Sequence, residues 1–346
     1  MSNERNSGIA DNNASSMHIT HNNVMPAVMA GTTAAVFQTV ISHPFEYVKT
    51  GLQLHRSLPG AEPLQMIHPV KYYFSGCSAL NVGVLIKTAA RFSTFEWACK
   101  ALQDPSLPEE PIKGVRLLVA GAITGFVESL CVIPFESIKT TMIENSILVS
   151  SQAVGPEKPI KSAVNAGSPV RRTFHNPVLE NRESIHRYYE QHPSRNLISA
   201  VKEMYMTRGV RAFLQGSMPT ITRQLGNSVV RFTVYTWLRQ LISPNKAPNE
   251  LQATGLGIVS SGAVVLLTQP IDVVKTRMQG KHALFLYRNS LECAYRIFVE
   301  EGFRHMWKGW VPRLFKVGLS GGISFGVYQY FENLFTHMAK SSAMKP

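Results

Sequence analysis

The sequence predicts an all-α membrane protein: six transmembrane helices in three pseudo-symmetric two-helix repeats around a central cavity. Three observations carry that reading. The motif Pro-x-[Asp/Glu]-x-x-Lys recurs at Pro44-Glu46-Lys49, Pro134-Glu136-Lys139 and Pro270-Asp272-Lys275. Thirteen residues before each of these prolines stands a glycine (Gly31, Gly121, Gly257), and nine before stands a small residue (Ala35, Gly125, Ser261). After each motif a further glycine (Gly76, Gly216, Gly309) opens a second long apolar segment.

Repetition at fixed offsets decides the architecture before any helix is assigned. Composition alone gives about 0.1 copies of the motif by chance. A fourth copy, Pro108-Glu110-Lys113, sits in the proline-rich stretch 104–111 with no apolar run leading directly into it, and is read as a loop coincidence. Sixteen residues beyond the second glycines stand Phe92, Phe232 and Phe325, and nineteen beyond stand Phe95, Tyr235 and Tyr328. Each repeat therefore holds one segment that contains the proline motif and one that starts at the glycine.

In chain order, residues 1–24 are a polar tail that contains Glu4 and Asp11, unlike a secretory signal or an Arg-rich, acid-poor presequence. Helices are expected at about 25–54, 73–102, 114–144, 212–242, 251–280 and 306–337, grouping into repeats 25–107, 108–242 and 243–337, with a short tail from 338. The odd helices carry long uncharged runs, such as 251–271, enough to cross a hydrocarbon core. The even helices are interrupted by basic residues, which weakens their hydropathy signal. Pro44, Pro134 and Pro270 each remove a backbone hydrogen bond inside an odd helix and are expected to kink it toward the axis. Short amphipathic helices are expected at 195–207 and 290–301, while Pro59, Pro63 and Pro69 curtail the one in the first repeat. The stretch 146–193, polar and without apolar period, reads as a flexible insertion. Three repeats complete a barrel, so a functional monomer is expected.

The charge balance narrows the partners. With 35 Lys+Arg against 22 Asp+Glu, the net charge of +13 calls for an anionic partner. Nucleic acid is a poor candidate, because the informative cations are interleaved with apolar residues inside long helices rather than spread over an exposed face. Cys77, Cys99, Cys131 and Cys293 lie far apart, which points to free thiols and no metal site. No phosphate-cradling loop or metal-ligand cluster suggests an enzyme or a cofactor.

The even helices hold the candidate site. Lys87 and Arg91, then Arg223, Asn227 and Arg231, then Arg313, Lys316 and Ser320, each share one helix face. Counted from the repeat glycines, position +7 is Gly83, Arg223 and Lys316; +11 is Lys87, Asn227 and Ser320; +15 is Arg91, Arg231 and Ser324. A cation at the bilayer centre costs at least ~2.5–3.5 kcal/mol. Six cations facing inward without matching acids therefore need an aqueous cavity and an anion. Glu128, inside the third helix, reads as a lone acid satisfied by its neighbours.

These features resemble the mitochondrial carrier family over about 24–335, the insertion excepted. Within it the chain is most similar to the citrate (tricarboxylate) carriers. The stretches that carry this are Pro44-Phe-Glu-Tyr-Val-Lys-Thr with Leu52-Gln-Leu, Lys87-x-x-x-Arg91-Phe92, Thr222-Arg-Gln with Arg231-Phe232, Thr276-Arg-Met-Gln-Gly, Tyr287-Arg-Asn, and Pro312-Arg-Leu followed by Ser320-Gly-Gly-Ile. The resemblance implies an alternating-access exchanger of small organic anions in the mitochondrial inner membrane, with both termini toward the intermembrane space and the short helices in the matrix. Its substrate would be held by Lys87, Arg91, Arg223, Gln224, Asn227, Arg231, Arg313, Lys316 and Ser320, with Lys316 standing where an arginine is common. A matrix gate would pair Glu46 with Lys139, Glu136 with Lys275 and Asp272 with Lys49. As exposed pairs these would be worth only ~0–1 kcal/mol each. The cytosolic gate keeps one charged pair, Glu96 with Arg239, and a Thr236–Glu332 hydrogen bond. Cardiolipin is implied near Trp307-Lys308-Gly309, Leu214-Gln215-Gly216 and Phe74-Ser75-Gly76. Alternatives are a carrier for a dicarboxylate or phosphorylated solute, and a non-transporting scaffold, suggested by the curtailed first repeat and by Gly51 where the third repeat has Arg277.

Overall fold

The computed structural model describes residues 21–56, 69–103, 115–154, 191–242 and 250–320, with single positions at 185, 188, 189 and between 323 and 334. Six long helices run through it: α1 (His21–Leu54), α2 (Cys77–Leu102), α3 (Val115–Val154), α4 (Ser217–Ile242), α5 (Glu250–Gln279) and α6 (from 310). Short helices Val70–Tyr73, Leu197–Arg208 and Ser290–Arg296 lie between the two long helices of each repeat. The described residues contain no strand.

The repeats close into a ring at the glycines that open the even helices. Gly76, Gly216 and Gly309 have φ of 83°, 75° and 79°, a backbone region that L side chains enter only with strain. Each sits against the motif lysine of another repeat. A Cβ on Gly76 would lie 3.0 Å from the Lys139 carbonyl, one on Gly216 3.4 Å from that of Lys275, and one on Gly309 3.3 Å from that of Lys49. The first repeat thus seats on the second, the second on the third and the third on the first. Between α6 and α1 the ring is completed by Phe45 stacked on Phe315, with centroids 6.2 Å apart. Gly76→Ala combines left-handed strain of ~1–2 kcal/mol with the carbonyl contact. It is expected to lower the thermal midpoint in detergent by about 5 °C; a drop below about 1 °C would show that the close approach is dispensable.

The motif prolines lie inside their helices. Pro270 leaves the Leu266 carbonyl without its helical donor, and the Trp307 indole Nε1 donates to that carbonyl at 3.0 Å. The third repeat thus satisfies its own orphaned acceptor.

The short helices are tied to the odd helices by one device used in two polarities. Arg277, seven residues after Pro270, pairs with Glu301 at 2.8 Å, both side chains being buried. In the second repeat the equivalent positions are exchanged in kind: Arg208 Nη2 donates to Thr141 Oγ1 at 2.8 Å. Lys281 reaches Glu203 at 2.5 Å, and Asn145 donates to the same carboxylate at 2.8 Å. Past Arg296 the third-repeat helix widens into a π turn, Ile297–Glu301, ending at Gly302 with φ 92°.

One boundary needs correction. Residues 146–154, assigned above to the insertion, continue α3. The physical reason is tertiary: Ser146 and Ser150 are buried, each returns a hydrogen bond to the helix, and the Ser146 hydroxyl also donates to Tyr47 Oη at 3.3 Å. Polar composition alone read as loop. The rest of the insertion up to 184, the tails 1–20 and 335–346, the segment 57–68 and the motif copy at Pro108 lie outside the described residues.

The outer surface is apolar, with Phe37, Leu85, Trp97, Phe126, Leu225, Ile258, Leu267 and Phe315 all exposed. So wide an apolar surface suits a lipid environment rather than water. Within α3 and α5, Val119–Ser150 and Gly255–Gln279 are long and apolar enough to cross a membrane.

Candidate functional site

The three motifs meet at one end of the bundle. Lys139 Nζ lies 2.6 Å from Glu46 Oε1, Lys275 Nζ 2.6 Å from Glu136 Oε2, and Lys49 Nζ 2.5 Å from Asp272 Oδ2. Their side chains are between 2% and 12% exposed. The ring is therefore buried, not exposed as supposed above. Burial changes its energetics, since removing one partner of a buried pair costs about 3–5 kcal/mol where a surface pair costs under about 1.

Two glutamines stand beside the ring, Gln53 bonded to one of its carboxylates and Gln279 among the residues that line the cavity. Gln53 Nε2 donates to Asp272 Oδ2 at 3.1 Å while its Oε1 accepts from Thr276 at 2.7 Å, and Gln279 Oε1 accepts from Thr140 at 3.3 Å. Both glutamines stand nine residues after a motif proline, with Ile143 at the same offset in the second repeat. That shared offset is the mark the sequence carries of these two site residues.

On the inner side a cavity of about 170 Å³ is lined by the six motif side chains together with Arg223, Asn227, Arg231, Arg313 and Lys316. The cations of the even helices do not face it without acids, as supposed above. Lys316 Nζ reaches Glu46 Oε2 at 2.7 Å, so Glu46 serves two lysines. Arg223 bridges Glu136 at 3.6 Å and Asp272 at 3.5 Å. Arg313, buried, donates instead to neutral oxygens, Thr268 Oγ1 at 2.7 Å and Gln269 Oε1 at 3.0 Å. Arg231 lines the cavity with an exposed side chain and no ion pair to a described residue.

Lys87 and Arg91 stand elsewhere, on the seam between α2 and α3. Lys87 Nζ is 3.0 Å and Arg91 Nε 2.7 Å from the carboxylate of Glu128. Ser320 accepts a hydrogen bond from Gln38 on α1. Gln224 is half-buried and does not line the cavity.

At the opposite end Glu96 pairs with Lys100 one turn on, at 2.8 Å, with both side chains about 70% exposed. Arg239 is exposed without an ion pair to a described residue, and Glu332 lies outside the described residues. The motif end is thus closed by ion pairs, and the described residues of the other end form no such ring.

The three-repeat ring has a counterpart among known proteins. The family model described as mitochondrial carrier protein matches residues 20–106, 179–246 and 248–339. The chain belongs to the mitochondrial carrier family. The middle match begins only at 179, although α3 ahead of it carries a full motif. Members of this family are solute carriers of the mitochondrial inner membrane, not enzymes. This carrier is 43% identical to an uncharacterised mitochondrial carrier of Saccharomyces cerevisiae, over 91% of this chain and 96% of the relative. It is 35% identical to mitochondrial citrate transporter A of Aspergillus niger, over 88% and 89% of the two chains. It is 31% identical to the tricarboxylate transport protein of Saccharomyces cerevisiae, over 87% and 92%.

Proposed function

We propose that this carrier exchanges citrate, or a similar tricarboxylate, for another small organic anion by alternating access. The observation that carries the reading is the charge of the cavity. Seven cations (Lys49, Lys139, Lys275, Arg223, Arg231, Arg313, Lys316) face three carboxylates (Glu46, Glu136, Asp272), an excess of four positive charges. A small polyanion neutralises that excess where a cation or neutral solute cannot. The similarity to the citrate and tricarboxylate transporters favours the same chemistry.

In this reading the motif ring is the matrix gate, here shut, and the cavity faces the intermembrane space, where both termini lie. Glu96 and Arg239, apart in this conformation, approach when the cytosolic side closes. The monomer is the working unit. A groove lined by Phe303, Arg304, Trp307, Lys308 and Trp310 takes cardiolipin, its aromatic rings against acyl chains and its cations toward phosphate. Gln215 is a poorer headgroup site, because its side chain is buried.

The test is uptake of labelled citrate into liposomes that hold the purified protein, with and without internal citrate, malate or phosphoenolpyruvate. Uptake that requires an internal anion is expected. Folded protein that moves none of a panel of organic anions would instead favour a non-transporting scaffold.

A further inference from the structure

Six residues before each motif proline, the odd helices carry Gln38, Glu128 and Val264. The first two contact the +11 position of the even helix across a repeat seam: Gln38 donates to Ser320, and Glu128 meets Lys87 at 3.0 Å. Of the two contacts, the one at Glu128 is charged, and it is extended. Arg91, one turn beyond Lys87, donates to both Glu128 oxygens, Nε at 2.7 Å and Nη2 at 3.3 Å. That two-pronged arrangement is the geometry in which arginine takes a carboxylate ligand.

Exposure is unequal across the cluster. The Glu128 side chain is 6% exposed, whereas Lys87 is 36% and Arg91 59% exposed. The carboxylate is fixed in the α2–α3 packing, while the cations keep open faces and long, adaptable stems. Two cations that the sequence assigns to substrate are therefore already held by an acid of the protein.

We propose that Glu128 is the charge-selectivity residue of the carrier, an internal counter-anion that occupies Lys87 and Arg91 until a polyanion draws them away. This rests on the anion-exchange reading above. Counted from the repeat glycines, Lys87 stands on its own helix one turn, ~6 Å in height, above the +7 row (Arg223, Lys316), beyond the cavity lining. A tricarboxylate that engages the lower row has a further carboxylate to offer Lys87 and Arg91. A dicarboxylate spends its charges on the lower row and leaves Glu128 undisturbed, so it forgoes the upper contacts.

The experiment compares uptake of citrate and of malate by the parent, Glu128→Gln and Glu128→Asp proteins in liposomes. Glu128→Gln releases both cations, and the ratio of kcat/KM for citrate over malate is expected to fall about tenfold. Glu128→Asp keeps the charge and is expected to restore most of the parent preference. An unchanged ratio in Glu128→Gln, or an equal loss for both substrates, overturns the proposal and leaves Glu128 as a brace between α2 and α3. Should Glu128→Gln not turn over, the rise in thermal midpoint with added citrate and with added malate in detergent reads the same preference. Equal preference in parent and variant there overturns it likewise. A parent protein that transports no anion removes the exchange reading and this one with it, whereas parent transport with an unaltered ratio in the variant removes only the role of Glu128.

Discussion

Glu46→Ala is expected to lower the thermal midpoint of the detergent-solubilised carrier by about 10 °C and to abolish exchange. Glu46 is the single carboxylate shared by Lys139, at 2.6 Å, and Lys316, at 2.7 Å, and it is nearly inaccessible. Its removal leaves two ammonium groups together without an acid, in a place where losing one partner of a buried pair already costs about 3–5 kcal/mol. At ~2–4 °C per kcal/mol for a chain of this size, the shift reaches about 10 °C. Lys139→Ala gives the comparison, because Glu46 then keeps Lys316 and the drop is expected to be about half as large. Thermal unfolding of the two variants side by side decides the matter. Equal shifts would mean that Lys316 contributes nothing at Glu46, and that the site cations are not coupled to the ring.

Arg223→Ala is expected to reduce kcat/KM for anion exchange by at least about 30-fold, from the ~2–5 kcal/mol lost when one member of a buried charged contact is truncated. Arg223 lines the cavity and, among the described residues, is the one that touches two ring carboxylates of different repeats, Glu136 and Asp272. An anion that takes Arg223 therefore removes a shared cation from both. The lysine partners of those carboxylates remain at 2.6 and 2.5 Å, so the thermal midpoint is expected to fall less than in Glu46→Ala. Arg223→Lys is expected to recover only part of the exchange, because an ammonium cannot bridge two carboxylates as the guanidinium fork does. Initial uptake rates over a range of external citrate measure both variants. Parent-like KM in Arg223→Ala would exclude it from the binding site.

These effects trace to a coupling between ring and cavity that residue counting does not show. The even-helix cations were read as free because helical spacing reports which side chains share a face, and is silent on what the next helix presents to them. Glu128 lies on a different helix from Lys87 and Arg91, separated by 37 to 41 residues of chain, and only the packing of α2 along α3 brings them together. Gln53 and Gln279 were legible in principle, from their common offset after the prolines, yet their roles depend on which oxygen or nitrogen each meets. The end of α3 was misplaced for a related reason, since serines at 146 and 150 look like loop residues until Tyr47 and the neighbouring carbonyls are seen beside them.

By itself the sequence determined the three repeats, the six helices, the glycines that start the even helices and the depth at which the motif charges lie. Periodic features of this kind are local: each repeat carries its own register, and equal offsets from a proline put equal residues at equal heights. Tertiary structure alone decided that Lys316 and Arg223 also engage the motif carboxylates, and that Glu128 holds Lys87 and Arg91. Ion pairing depends on distances of a few ångströms between different helices, and those distances follow from the close seating of Gly76, Gly216 and Gly309 on their neighbours.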